Sequence, residues 1–227
     1  MSGVLYIVAT PIGNLGDITL RATEVLKSVD LILCEDTRVA QKLLARFDIK
    51  KSLESYHQHS TLWKTDYILS LMEEGKNLAL VSDAGTPGIS DPGNQLVQAI
   101  IKKFGDGAKI VPIPGANAAI AALSVSGFAT DKFIFLGFPP AKNKRKKYFQ
   151  ELLASEYAAT FYESSFRILK TLSEIDELNS DKSRQIVVCR ELTKAFETIY
   201  RGTIAEVIAK IKKDPQKGEF VAVFEGK

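Results

Sequence analysis

The sequence contains very little cysteine and no long apolar run. Its two cysteines, Cys34 and Cys189, lie in the short apolar segments "LILCE" and "IVVCR", so we expect buried, reduced thiols and a cytoplasmic protein rather than a disulfide-bonded one. No apolar run approaches the roughly 20 residues that a membrane helix needs. The start, "MSGVLYIVATPIG", lacks the basic residues and long apolar core of a signal peptide. We therefore expect it to form a first strand.

Two common nucleotide-binding motifs are also missing. The sequence has no G-x-x-x-x-G-K-[ST], and Gly13 and Gly16 do not complete a G-x-G-x-x-G, so ATP and NAD sites lose their usual support. The charge is mild, with 30 Lys and Arg against 27 Asp and Glu and a net charge of +3. A nucleic-acid partner would therefore require the positive charge to be clustered.

What is present is the pattern of an α/β protein. Short apolar runs such as "VLYIVA", "LILCE" and "LALVS" alternate with amphipathic segments of helical length, which is typical of parallel sheets. In the second half the strand-like runs lie closer together, and "LTKAF" is too short for a parallel crossover, which favours a mixed sheet. We predict two α/β domains, at residues 1–128 and 129–227.

Three strand ends in the first half are followed by unusual loops. The segments "ATPIGNLGDIT" (9–19) and "SDAGTPGISDPG" (82–93) combine Pro, Gly and Asp, which allow a ligand to approach the main chain closely. "CEDTR" (34–38) adds charge at a third strand end. In open parallel sheets ligands bind where such loops converge, so together they indicate a small-molecule site rather than isolated structural turns.

The charged residues of "EDTR" have two interpretations. Glu35, Asp36 and Arg38 are candidates for a polar cluster that holds an alcohol nucleophile or a phosphate. The structural alternative is that Asp36 caps the following helix and Arg38 is its exposed partner. Asp91 is expected to cap the helix that begins near Asn94.

A metal site and a reactive thiol are both disfavoured. His57 and His59 form an H-x-H with no nearby Cys or acidic pair to complete a tetrahedral set, so a surface loop is the better interpretation. Cys34 could pair with His57, but a cysteine in an apolar strand is expected to be inert.

One dense basic run stands out, "AKNKRKKYFQ", directly after "GFPP". It can be a solvated helix face, or it can contact RNA phosphates near the start of the second domain. The candidate RNA-binding residues are its five cations: Lys142, Lys144, Arg145, Lys146 and Lys147.

The segments "VATPIGNLGDITLRA", "EDTR", "VSDAGTPGISDPG", "PGANAAIAAL" and "GFPP" together resemble the ribosomal RNA small subunit methyltransferase I family. The match runs in order from about Val4 to Gly226. That family belongs to the tetrapyrrole-methylase superfamily, and its members act on the 2′-hydroxyl of a cytidine in 16S ribosomal RNA. They often carry a further small helical region beyond "GEFVAVFEG", the segment near the end of this sequence.

The resemblance implies a homodimer whose subunits bind S-adenosyl-L-methionine in a cleft between two α/β domains. It also implies which residues contact this cofactor. In the second domain these contacts come from Tyr162, the "RELTKAF" loop and the last strand. The cofactor-binding residues implied are Pro11, Asp83, Ala84, Gly85, Thr86, Asn117, Ala118, Tyr162 and Phe220.

The predicted reaction is methyl transfer to the ribose 2′-hydroxyl of 16S ribosomal RNA, and two alternatives remain. The sulfonium already activates the methyl group, so the protein must align an in-line attack and exclude water, without a metal. The first alternative is a methylase of a tetrapyrrole or another small molecule, which should show a broad apolar trough instead of a basic run. The second is a non-enzymatic RNA-binding module, which leaves the 9–19 and 82–93 loops unexplained.

Overall fold

The computed structural model describes residues 2–57, 62–215 and 217–227. The chain divides into two compact units, Met1–Asn117 (unit 1) and Ala118–Lys227 (unit 2). The domain boundary expected from the sequence lies at residue 128. It follows the helix at Ala118–Ser124, which the structure groups with unit 2. Within the described ranges, no helix has the length and apolar character needed to cross a membrane.

Unit 1 is built on a five-stranded parallel sheet in the order β3-β2-β4-β1-β5. Its strands are β1 (Leu5–Val8), β2 (Leu31–Cys34), β3 (Leu53–Ser55), β4 (Leu78–Val81) and β5 (Ile110–Ile113). Its helices are α1 (Leu20–Ser28), α2 (Thr37–Arg46), α3 (Leu62–Glu73) and α4 (Asn94–Phe104).

Both faces of this sheet are covered, and β4 shows why its strands are continuous apolar runs. Ala79 and Val81 pack with residues of α1 and α2, whereas Leu78 and Leu80 pack with residues of α3 and α4. Successive side chains of a strand point to opposite faces, so a strand that is buried on both sides must be apolar at every position. Because the strands are parallel, the loops after β1, β2, β4 and β5 leave the sheet at one edge.

Unit 2 contains a mixed sheet in the order β6-β7-β10-β8-β9. The β6–β7 pair is parallel, and the β7–β10, β10–β8 and β8–β9 pairs are antiparallel. Its elements are α5 (Ala118–Ser124), β6 (Phe133–Phe135), α6 (Arg145–Ala154), β7 (Ala158–Ser164), α7 (Ile168–Leu178), β8 (Gln185–Arg190), β9 (Thr198–Thr203), α8 (Ile204–Ile211) and β10 (Glu219–Phe224).

The two faces of the mixed sheet are covered unequally. One face packs against α6, α7 and α8, with Phe161, Phe220 and Phe224 in the core. The other face contributes Val187, Cys189 and Val221 and packs against Ala122 and Leu123 of α5. Helix α5 therefore completes the core of unit 2.

The predicted fold class of two α/β units, one parallel and one mixed, is confirmed. Thr19 caps α1, because its hydroxyl accepts the main-chain N–H of Ala22 at 3.0 Å. The expected cap by Asp91 is wrong: α4 begins after Gly93, and no side chain bonds to the helix start there. Gly93 has φ +144°, so the turn before α4 is set by glycine conformation.

Candidate functional site

The loops after β1 and β4 are joined by main-chain hydrogen bonds at the carboxyl edge of the parallel sheet. Thr10 donates its N–H to the Gly85 carbonyl at 2.9 Å, and Gly85 donates its N–H to the Thr10 carbonyl at 3.0 Å. The Thr10 hydroxyl also lies 3.1 Å from the Ser82 carbonyl. The loop after β5 joins them, because the Thr86 hydroxyl donates to the Ala116 carbonyl at 3.2 Å. Two of the three predicted loops, 9–19 and 82–93, thus form one connected surface with the loop after β5.

Glycine allows these loops to come together. Gly85 has φ +83°, and a Cβ added there would lie 3.5 Å from Ile12 Cγ2 and 3.7 Å from the Ala116 carbonyl oxygen. A Cβ added at Gly115 would lie only 2.9 Å from the Cβ of Ala9. The main chain of these loops is therefore presented without side chains at the points of closest approach, as a bound ligand requires.

The turn between β2 and α2 is organised by Asp36. Its carboxylate accepts the main-chain N–H of Arg38 at 2.8 Å and two further bonds from the Arg38 guanidinium, at 3.0 Å and 2.6 Å. The hydrogen bonds from Arg38 lower the pKa of Asp36 to about 2. The structural interpretation of Asp36, a helix cap with an exposed arginine partner, is thus what the structure contains.

Asp83 connects this turn to the loop after β4. Its Oδ1 lies 3.2 Å from the main-chain nitrogen of Asp36, which donates the hydrogen bond. A pocket of about 660 Å³ opens beside it, so the predicted carboxylates and arginine do lie together. The pocket is lined by Glu35, Asp36, Thr37, Arg38, Ser55, His57 and Asp83.

Sequence reasoning missed Asp91 as a member of this charged group. Burial, and then the charge of Glu35, raise the pKa of Asp91 to about 6; a hydrogen bond with Ser82 opposes this rise, and the charge of Asp83 adds a smaller increase. The signal was present in the sequence, since Asp91 belongs to the same loop as Asp83, but it was interpreted as a helix cap. A carboxyl with this pKa is held partly protonated near pH 6 by its surroundings.

In unit 2, the predicted cofactor-binding residues divide into two kinds. The Tyr162 hydroxyl accepts the N–H of Ala119, next to Ala118, at 3.2 Å, so these positions lie together. Phe220 differs, because its side chain is buried among the core residues packed against α6, α7 and α8. The residue opposite Tyr162 on β10 is Val221, whose side chain shares the other face of the sheet. The predicted contact of the Phe220 side chain with the cofactor is therefore wrong, because that side chain lies in the core of unit 2.

The basic run is similarly divided. Lys142, Lys144, Lys146 and Lys147 are exposed, whereas Arg145 is buried. The Arg145 guanidinium donates to Glu174, to the Pro140 carbonyl and to the Thr171 hydroxyl, at 2.8, 2.7 and 2.9 Å. Arg145 therefore fixes the start of α6 and is not available to a phosphate, which sequence alone did not predict.

The structure places the remaining candidates as follows. Burial raises the pKa of both Cys34 and Cys189 to about 11, as expected of inert thiols. His57 lines the 660 Å³ pocket, and His59 lies outside the described residues. Among residues 2–57, 62–215 and 217–227, no group of three or more His, Cys, Asp or Glu side chains could hold a metal ion.

Comparison with known proteins gives the relationship of the chain. The family model described as Tetrapyrrole (Corrin/Porphyrin) Methylases matches residues 4–208. A protein of Synechocystis sp. named "Ribosomal RNA small subunit methyltransferase I" is 48% identical over 99% of this chain and 79% of its own length. A protein of the same name from Bacillus subtilis is 47% identical over 99% of this chain and 75% of its own length. The chain belongs to the ribosomal RNA small subunit methyltransferase I family.

Solved structures place this methyltransferase I family member in the fold of its superfamily. Diphthine synthase superposes with a TM-score of 0.73 at 12% identity, covering 98% of this chain and 90% of its own. Cobalt precorrin-4 methyltransferase superposes with a TM-score of 0.69 at 19% identity, covering 97% and 94%. At such low identity these similarities support the fold alone and carry no information about the substrate.

Proposed function

We propose that this protein is an S-adenosyl-L-methionine-dependent methyltransferase that methylates the ribose 2′-hydroxyl of a cytidine in 16S ribosomal RNA. The observation that supports it most is the connected loop surface around the Thr10–Gly85 bridge, in a chain that is 48% identical to a protein named for methylation of small-subunit ribosomal RNA. The exposed lysines at the start of α6 favour RNA over a small molecule as the acceptor.

The residues present suit the cofactor. Gly85 has φ +83° and carries no Cβ, which leaves room for a ligand beside Pro11 and Thr86. Asp83 and Ala84 are exposed at the same loop, where a carboxylate can accept hydrogen bonds from hydroxyl or ammonium groups. We assign the cofactor to these residues and Asn117, and the family resemblance adds Ala118 and Tyr162 as proposed contacts. When bound, S-adenosyl-L-methionine supplies a methyl group that its sulfonium has already activated.

The protein's part in the reaction is to position the ribose and to receive its proton. Asp36 is a weak base, because Arg38 lowers its pKa to about 2. We assign the proton-accepting role to Glu35 in the same pocket and a phosphate-holding role to the exposed guanidinium of Arg38. Asp36 holds Arg38 in place rather than taking part in proton transfer.

Labelled methyl transfer tests the reaction. Small-subunit particles from cells lacking the enzyme are incubated with the purified protein and methyl-labelled cofactor, and the modified nucleotide is mapped. We expect label on a cytidine ribose. Label on a base atom, or transfer only to a tetrapyrrole, would overturn the assignment of the substrate.

The cofactor assignment has its own test, titration calorimetry of Asp83 variants. Asp83→Ala removes both the proposed ligand contact and the acceptor for the Asp36 N–H, whereas Asp83→Asn retains an oxygen acceptor for that N–H. We expect both variants to bind S-adenosyl-L-methionine more weakly, and Asp106→Ala, an exposed carboxylate before β5, to bind it normally. Unchanged affinity in Asp83→Ala would exclude this loop from the site.

We further propose that the protein acts in the cytoplasm as a homodimer on the small ribosomal subunit. The family resemblance supports the dimer, and the two buried thiols suit a reducing compartment. Light scattering of the purified chain measures its mass directly, and a monomer at micromolar concentration would contradict the dimer.

A further inference from the structure

Unit 2 displays exposed phenylalanines at one edge of its sheet. Phe138 follows β6 and is 54% exposed, and Phe166 follows β7 and is 97% exposed. Because β6 and β7 are parallel neighbours, both residues leave the sheet at the same edge. A single exposed apolar residue is ordinary, but two at neighbouring strand ends need an explanation.

Phe138 is held firmly. Its ring packs edge-on against Tyr162, with 5.4 Å between ring centroids. The preceding residue, Gly137, accepts the main-chain N–H of Tyr162 at 2.9 Å, and the following residue, Pro139, accepts a hydrogen bond from the Arg167 guanidinium at 3.1 Å. Phe138 therefore extends outward from the tyrosine that we assign to the cofactor.

Phe166 is held by the turn that carries it. Arg167 donates its N–H to the Ser164 carbonyl at 3.1 Å and closes the turn around Phe166. The Arg167 side chain donates to the buried carboxylate of Glu163 at 2.7 Å and also reaches Pro139. The same guanidinium thus fixes the loops that carry Phe138 and Phe166, so the main chain beneath the two rings is already ordered.

The charge beside these rings is positive. Lys142 and Lys144 lie in the loop that leads from Phe138 to α6, and Lys146 and Lys147 are exposed in the first turn of that helix. The carboxylates of the supporting network are occupied, Glu163 by Arg167 and Glu174 by the Arg145 guanidinium. Exposed aromatic faces on an ordered main chain, together with exposed cations, are the combination by which proteins bind single-stranded nucleic acid.

We propose that Phe138 and Phe166 stack against unpaired bases of the RNA substrate while the exposed lysines of residues 142–147 bind its phosphates. This inference rests on the proposed function and adds to it the form of RNA that is taken: an unpaired segment, splayed so that its bases face the protein. Stacking does not depend on base identity, so the two phenylalanines supply affinity and orientation rather than sequence selection.

Phe166 gives the sharper test, because a side chain that is 97% exposed can be replaced without disturbing the core. We expect Phe166→Ala to weaken binding of a single-stranded oligoribonucleotide roughly ten-fold, the effect of losing one base–aromatic stack. Phe166→Trp should retain affinity, whereas Phe166→Leu, which is apolar but has no π face, should behave like Phe166→Ala. Phe133→Ala, at the opposite end of β6 and 40% exposed, is the matched control and should bind normally.

Salt dependence separates stacking from charge. In Phe166→Ala the slope of log affinity against log salt should equal that of the unmodified protein, because no phosphate contact is lost. In Lys142→Ala the slope should fall by about one while the fluorescence quenching of a 2-aminopurine base in the oligonucleotide, a direct sign of stacking, is retained.

The remaining outcomes each decide the matter. If the unmodified protein methylates small-subunit particles and Phe166→Ala does so with unchanged KM and RNA affinity, the stacking inference is wrong and the proposed function stands. If the unmodified protein neither binds nor methylates RNA, both are wrong. If Phe166→Ala halves the mass measured by light scattering, the phenylalanine belongs to a contact between two copies of the chain, which also overturns the inference.

Discussion

The raised pKa of Asp91 leads to a prediction about stability. Its carboxyl titrates near pH 6 in the folded protein against an ordinary value of 3.8, because it is partly buried beside the charges of Glu35 and Asp83. The folded state therefore binds the proton more tightly than the unfolded state, and stability falls as pH rises from about 4 to about 6. A difference of about two pKa units corresponds to about 3 kcal/mol above pH 6, at 1.36 kcal/mol per unit.

Asp91→Asn replaces the ionisable group with a neutral amide of similar shape. We expect the variant and the unmodified protein to unfold with nearly equal free energies at pH 4, and the variant to be more stable by up to about 3 kcal/mol at pH 7. The single tryptophan, Trp63, lies in α3 of unit 1, so its fluorescence during urea unfolding follows the unit that contains Asp91.

Asp106→Asn serves as the control, because it removes the same charge from an exposed position of unit 1. Its stability difference from the unmodified protein is expected to stay within about 0.5 kcal/mol at every pH. A stability difference for Asp91→Asn that is equally flat between pH 4 and pH 7, or that favours aspartate at pH 7, would refute the argument.

Three further predictions concern groups whose surroundings are equally well defined. Arg145→Ala should lower the free energy of unfolding by roughly 2 kcal/mol, because it removes a buried side chain and leaves the Pro140 carbonyl and the Thr171 hydroxyl without their donor. Lys146→Ala should change it by less than about 0.5 kcal/mol, and urea unfolding compares the two. Gly115→Ala should cost roughly 1–3 kcal/mol and weaken cofactor binding in calorimetry, because its Cβ would lie 2.9 Å from another Cβ at the end of β1. At pH 8 Cys34 and Cys189 should react with a disulfide reagent roughly 100-fold more slowly in the native protein than in urea, because burial raises the pKa of both thiols to about 11.

The elements that could be predicted from sequence are those with a strong local pattern. The strand β4 follows from the run "LALVS", whose first four residues are all apolar and all buried. Sequence reasoning placed neither β3 nor α3. The latter begins with Leu62 and Trp63, both mostly exposed, so its apolar residues do not trace one buried face.

The candidate site was predictable as a set of loops but not atom by atom. Glycine, proline and aspartate at strand ends indicated where the main chain would be approached, and the structure joins those loops through Thr10 and Gly85. Arg145 is buried while its neighbouring lysines are exposed, because Arg145 pairs with Glu174, 29 residues away. No local sequence pattern can reveal such a contact. Phe220 belongs to the core for the same reason: strand pairing, rather than composition, decides which face it occupies.

The bridge between Thr10 and Gly85 also limits which main-chain groups can form hydrogen bonds with a bound molecule. The N–H and the carbonyl of each residue form hydrogen bonds with the other residue, so these four groups already have partners before any ligand binds. Selectivity at this edge must then come from the neighbours, from the exposed carboxylate of Asp83 and the peptide groups of the exposed Ala84. The bridge holds the two loops at a fixed distance from each other. We expect relatives with a different ligand preference to differ at the residues next to Thr10 and Gly85 rather than at these two.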